Sequence, residues 1–202
     1  MPPAAAPADV ERLRQRLNLM VQVVPGQWLG LTVIYWMRFP RPLRPFAFDP
    51  HPAWPFVAAA CVAAAVVPFL LPASYFHPRR FERGGFYPAL GLRLFRRVAP
   101  DGDWINRVLR RRDPAYRVVR NRVTRAAHLA GGIRGEQWHT AWFVFGLGTQ
   151  AFAAATGEIG WAVVLGVLNV AFNLYPVFHQ RYKRARLRQP FTPAATSSPA
   201  TP

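Results

Sequence analysis

The sequence predicts an all-α, polytopic membrane protein with about four transmembrane helices and an arginine-rich cytoplasmic loop containing amphipathic helices. Two observations carry this. The first is four charge-free stretches, Leu17–Met37, Ala53–Phe76, Gln137–Gly157 and Ile159–Gln180, lying between blocks of arginine. At about 1.5 Å rise per residue, some 20 helical residues cross the roughly 30 Å of a bilayer's hydrocarbon. The second is the confinement of 26 basic residues to the gaps. An arginine near the bilayer centre costs about 2.5–3.5 kcal/mol on insertion scales.

Composition narrows the function classes. The net charge is +17 and the pI about 11.7, which in a soluble protein points to nucleic acid. Here that reading forces about half the chain, all uncharged, into one small core, and no nucleic-acid recognition motif is present. A cationic face on anionic lipid headgroups accounts for the charge, with no nucleic-acid partner. The mean hydropathy of +0.04 averages an apolar part and an arginine-rich part. The single cysteine, Cys61, excludes a disulfide within the chain and reads as a small core residue. The start, MPPAAAPADV, lacks the charged opening of a cleavable signal peptide.

Taken in order, residues 1–10 are Pro/Ala-rich and read as a disordered N-terminus, with residues 11–189 as a single integral-membrane domain. Arg12, Arg14 and Arg16 precede the first span, 17–37, in which Pro25 and Gly26 invite a kink. Arg38 to Pro55 is a connector whose many prolines remove backbone donors and forbid regular structure. The second span, 53–76, is rich in alanine, which permits close helix approach, and carries Pro68 and Pro72. The loop 77–136 holds fifteen arginines. Within it Asp103 is a candidate cap for a helix through WINRVLRR, and Asp113 before Pro114 a candidate N-cap. After Pro114, Tyr116, Val119, Val123 and Ala127 recur at three- and four-residue spacing. The expected helix either lies on the membrane surface or packs on the rest of the loop. The spans 137–157 and 159–180 are joined by a turn at Thr156–Glu158 and form a hairpin, and 190–202 is a second disordered tail. Short basic segments stay in the cytoplasm, so both termini are expected there, although Arg38, Arg41 and Arg44 fall in the outer connector.

This topology brings three polar clusters to the cytoplasmic surface: Glu82–Gly85, Arg134–His139 and His179–Tyr182. Glu136 and His139, three apart on one helical face, form a candidate base with an orienting carboxylate. The competing reading pairs Glu136 with Arg134, Arg181 or Arg184. His179 either faces the same site or snorkels to the interface. A single Glu-x-x-His does not make a di-iron set, so no metal is expected. With no nucleophile in evidence, transfer chemistry is expected to go by direct attack of an acceptor hydroxyl.

Three segments then carry a resemblance. FERGGFYPALGLRLFRRVAPDGDWIN, RGEQWHTAW and NLYPVFHQRYKRARL, in this order, resemble motifs of the glycosyl-4,4'-diaponeurosporenoate acyltransferase family of bacterial carotenoid biosynthesis. The chain departs at Gly135, Thr140, Lys183 and Ala185, where the family has Ala, Trp, Asn and Pro. The resemblance implies transfer of a fatty acyl group onto a sugar hydroxyl of a carotenoid glycoside or similar glycolipid, in the bacterial inner membrane. It puts weight on Glu82, Gly85, Arg134, Glu136, His139, Gln180, Arg181, Tyr182, Arg184 and Arg186. The chemistry expected of these residues is His139 as general base oriented by Glu136, with Arg134, Arg181 and Arg184 on the donor's phosphates or the oxyanion. No bound cofactor is expected. The co-substrate is an acyl thioester on coenzyme A or acyl carrier protein, and the expected neighbours are carotenoid or glycosyltransferase pathway enzymes. The alternative is a non-catalytic membrane scaffold whose basic face recruits anionic lipid or partner enzymes.

Overall fold

The computed structural model describes residues 7–37, 54–83, 85–119 and 121–188. The proline-rich connector and the tail from residue 190 lie outside the described residues. The described chain is helical: α1 (Pro7–Met37), α2 (Trp54–Leu70), α3 (Phe86–Ala89), α4 (Leu92–Val98), α5 (Asp103–Arg112), α6 (Arg122–Ala155), α7 (Ile159–Asn169) and α8 (Tyr175–Leu187). Two short 3-10 turns, Ala73–Phe76 and Arg80–Arg83, follow α2.

Four rods run antiparallel. The last is α7, a π-helical turn at Val170–Leu174, and α8 in one continuous run. The long α6 packs against α2, α7 and α8. Aromatic rings close the end remote from the basic segment: Trp36 lies 5.0 Å and Phe56 5.2 Å from Phe152, and Tyr35 lies 5.6 Å from Trp161. At the opposite end α1 meets α5 and the segment after it through Val10, Leu17, Ile105, Leu109 and Tyr116. The start of α1 and the end of α8 therefore lie on the same side as the arginine-rich segment. Leu19, Val33, Phe56, Val62, Phe69 and Val167 stand exposed along the rods. An outer surface of this kind suits lipid, and the apolar helices mark a membrane protein.

Several expectations are corrected. Two helices among the described residues are long and apolar enough to cross a membrane, Ala8–Met37 and Ile159–Leu187. A third arises if α2 and Ala73–Glu82, bent by 81°, count as one broken span. The count is thus two to three, not four. The expected second span, 53–76, ends at Leu70, just before Pro72, and its 17 residues reach only about 25 Å. The expected third span is the C-terminal part of α6, where Gln137, His139, Thr140, Thr149 and Gln150 dilute the apolar character. The first helix begins at Pro7 rather than beyond residue 10, because Val10 is buried against α5. It passes through Pro25 and Gly26 without interruption.

The basic segment also folds differently. No helix starts at Asp113–Pro114. Asp113 instead accepts the Ala115 amide at 2.9 Å and closes a turn. Helix α6 starts later, after a capping box in which Asn121 Oδ1 accepts from the Thr124 amide at 2.9 Å. The Thr124 hydroxyl in turn accepts from the Asn121 amide at 3.0 Å. From there α6 runs unbroken to the α7 turn, so no separate surface helix exists among the described residues. Asp103 is the first residue of α5 but does not cap it; its carboxylate accepts from Arg96 at 2.7 Å. The cap position is Gly102, where a Cβ would lie 2.3 Å from the Arg96 carbonyl oxygen. The Thr156–Glu158 turn joins α6 and α7 as expected, with Gly157 at φ +79.

Candidate functional site

At the basic end, two glutamates and two arginines form a buried, charge-balanced quartet. Glu136 is 0% exposed and Arg184 1%, and Glu82 and Arg181 are also buried. Arg181 donates Nε to Glu82 Oε1 at 2.7 Å, Nη1 to Glu136 Oε1 at 2.8 Å and Nη2 to the Tyr75 carbonyl at 3.1 Å. Its guanidinium also lies 4.7 Å from the Tyr75 ring centroid. Arg184 donates Nη1 to the Gly132 carbonyl at 2.9 Å and Nη2 to Glu136 Oε2. Glu82 additionally accepts the Arg79 amide at 2.7 Å and the Tyr87 hydroxyl at 2.9 Å. Burial, together with this bond to Glu82, pushes the Tyr87 hydroxyl above its usual range. The quartet clamps the turns after α2 to α6 and α8. Every carboxylate oxygen in it is used.

Beside the quartet lies a cavity of about 580 Å³, walled largely by apolar groups including Val21, Phe95, Trp104, Phe172 and Pro176. His139, His179, Gln180, Lys183 and Asp101 supply its polar atoms. The His139 ring lies against the Asn173 side chain and the Phe172 backbone, and its Nδ1 is buried without a partner. Asn173 is held in turn by Asn169 at 2.8 Å, and Asn169 by the Phe143 carbonyl at 3.1 Å. Gly146 makes room for this asparagine, since a Cβ there would lie 2.4 Å from Asn169 Nδ2. Asn173 sits in the π-helical turn, a distortion that recurs at functional sites. His179 is buried with both ring nitrogens unpartnered.

The expected site residues therefore divide. Glu82, Glu136, Arg181 and Arg184 come together, as the ion-pair reading of Glu136 required. His139, His179 and Gln180 come together in the cavity. Glu136 and His139 are not joined: both Glu136 oxygens bond arginines, and the His139 ring lies against Asn173 and the Phe172 backbone. Arg181 and both Arg184 Nη atoms are committed to glutamates and carbonyls, and Arg184 Nε, the remaining donor, is buried without a partner, so the pair is not placed to receive a donor phosphate. Tyr182 lies between Arg96 and Arg186, with guanidinium carbons 5.3 and 5.7 Å from its ring centroid. Arg134 is exposed on α6, and Gly85 is exposed ahead of α3. Sequence reasoning missed Asn169, Asn173 and Asp101. An asparagine pair four residues apart inside an apolar helix is the signal that marks the first two.

Asp101 anchors the cavity's rim. Its backbone is left-handed, at φ 51, a conformation few residues other than glycine adopt. Its carboxylate accepts Arg14 Nε at 2.8 Å, Arg14 Nη2 at 3.0 Å and Asn18 Nδ2 at 2.9 Å. Burial by itself raises the carboxyl, but these bonds outweigh it and hold Asp101 below the usual carboxylate range. A pKa depressed in the folded state stabilises the fold above the unfolded value of about 3.9. That stabilisation is lost as pH falls through the folded value. The melting temperature in detergent is therefore expected to hold from pH 7 to about 5 and to drop below about 4. Asp101→Asn should lower it at pH 7 and flatten part of the acid decline. An acid decline identical in the variant overturns this assignment.

The family model described as glycosyl-4,4'-diaponeurosporenoate acyltransferase matches residues 72–191, more than half of the chain. Its span takes in α3 to α8 and with them the quartet and the part of the cavity outside α1. No curated protein and no solved structure matches the chain.

Proposed function

The chain belongs to the glycosyl-4,4'-diaponeurosporenoate acyltransferase family, and from that membership we propose that it moves a fatty acyl group from a thioester onto a hydroxyl of a lipophilic glycoside. A carotenoid glycoside, or a glycolipid of similar shape, is the acceptor. The observation that carries the reading is an apolar cavity whose lining includes His139 and His179, imidazoles with unpartnered ring nitrogens. Apolar walls suit an acyl chain, and a free imidazole lone pair suits a hydroxyl proton.

In the proposed reaction the acceptor oxygen attacks the thioester carbonyl carbon. The new C–O bond forms, the C–S bond breaks, and the hydroxyl proton passes to His139. The imidazolium then protonates the departing thiolate, so an ester and a free thiol leave. In this scheme Nε2 carries the ring proton toward Asn173 and leaves Nδ1 as the acceptor. Asn173, not Glu136, is the orienting partner in this scheme. A second apolar cavity, of about 510 Å³ between α1, α2 and α6, is lined by Trp36, Trp138, Trp142 and Phe145. It supports a lipophilic acceptor that arrives from the side. We place the basic segment and both termini on the cytoplasmic side of a bacterial inner membrane, as the arginine distribution favours.

The test compares lipid extracts from cells with and without the gene by mass spectrometry. The expected result is a glycolipid heavier by one fatty acyl unit only when the gene is present. Identical extracts, from cells that make the acceptor, would defeat the reading and leave a scaffold role.

A further inference from the structure

A smaller chamber of about 190 Å³ backs onto the apolar cavity. The two share Asp101, His179 and Lys183 as a common wall. Arg96, His128, Tyr182 and Arg186 line the chamber's other sides. Beyond Arg96, Asp103 and Asn106 it is continued by an open groove of about 510 Å³ carrying Arg107, Arg110 and Arg111. Several of these cations are uncommitted. Among the described residues, Lys183 has no hydrogen bond or ion pair. Among the same described residues, the polar and ring contacts of Arg186 are to Tyr182, by ring and by a 3.4 Å bond to its hydroxyl. His179, 5% exposed and with both nitrogens unpartnered, stands in the wall between the apolar and the basic chamber.

We propose that this basic chamber and its groove bind the phosphates of a coenzyme A thioester, with the acyl chain in the apolar cavity and the thioester beside His179. The inference rests on the acyltransferase reading and names its donor. The order of environments matches such a donor: an apolar chain, then a linker, then phosphate. The groove supplies a further group of guanidiniums for the phosphates of the nucleotide half. A phosphopantetheine carried on a protein has no such half. Arg186 and Lys183 hold the inner phosphate, as charge-assisted hydrogen bonds to phosphate favour. Arg107, Arg110 and Arg111 attract the outer ones, an attraction that salt screens. These cations take the place of the Arg181–Arg184 pair.

The experiment is calorimetric titration of coenzyme A into the purified full chain in detergent. Arg186→Gln and Lys183→Gln are each expected to weaken Kd about 10-fold or more, on the usual strength of a hydrogen bond to a charged group. Lys183→Arg, which keeps the charge, retains binding and guards against a folding artefact. Arg93→Gln removes the same charge from an exposed position on α4 and leaves Kd unchanged. Pantetheine, which lacks the phosphates, binds far more weakly than coenzyme A. No binding by the wild type, equal weakening by Arg93→Gln, or pantetheine binding as tightly would each overturn the proposal. So would tighter, Arg186-dependent binding of phosphatidylglycerol micelles, which would assign the chamber to a lipid headgroup. Coenzyme A binding without an acylated lipid product would leave this site standing and fail the acyltransferase reading. An acylated product without coenzyme A binding would do the reverse.

Discussion

His139→Ala is expected to slow acyl transfer by about 10²–10⁴-fold while the protein stays folded and membrane-inserted. The size follows from what a positioned general base contributes. The folded state is expected to survive because the ring makes few bonds: Nδ1 has none, and Asn173 keeps its bond to Asn169 when the ring is gone. Asn173→Ala, which frees the ring without removing it, should give a smaller loss in rate and shift the pH profile of the reaction. The measurement is initial rate of lipid acylation in isolated membranes, with protein amount checked by immunoblot. A wild-type rate in His139→Ala would transfer the role of base to His179, the other imidazole in the cavity.

Glu136→Gln is expected to destabilise the fold by about 3–5 kcal/mol, because it leaves buried charge uncompensated. As folded, the quartet carries two negative and two positive charges. Removing one carboxylate charge leaves buried Arg184 without an acidic partner and Arg181 with Glu82 alone. Lost activity in this variant should therefore track lost protein. Thermal unfolding in detergent decides the matter: a large drop in melting temperature is expected, with partial recovery when Arg184→Met is added. A variant that melts like the wild type and is still inactive would return Glu136 to a role in the chemistry.

These two predictions show where the sequence was legible. The apolar rods, the α6–α7 hairpin and the convergence of the three polar clusters follow from periodicity and charge, because hydrophobic runs and arginine blocks are local signals. Glu136 and His139 were coupled by their three-residue spacing, which places them on one face but does not choose their partners. The partners came from far along the chain: Arg181 is 99 residues from Glu82 and 45 from Glu136. The competing reading names Arg181 and Arg184 for Glu136, but local spacing cannot choose it over His139, and nothing local points to Glu82. Asp113–Pro114 misled for a related reason. Its side chain can satisfy a turn as readily as a helix end, and the weaker-looking Asn121 won because Thr124 completes a reciprocal cap. The span count failed on α6, whose polar residues Glu136 and Thr149 turn inward against other helices.

The quartet also constrains the order in which the molecule can be assembled. Glu82 and Glu136 are translated before the two arginines that neutralise them, and those arginines sit on the last helix. Until α8 emerges, the nascent chain holds two acidic side chains without the arginines that neutralise them in the folded state. The earlier helices therefore cannot settle into their final arrangement on their own. The closing helix acts as a latch on the basic end of the bundle, and a chain cut short before Arg181 is expected to lose that latch.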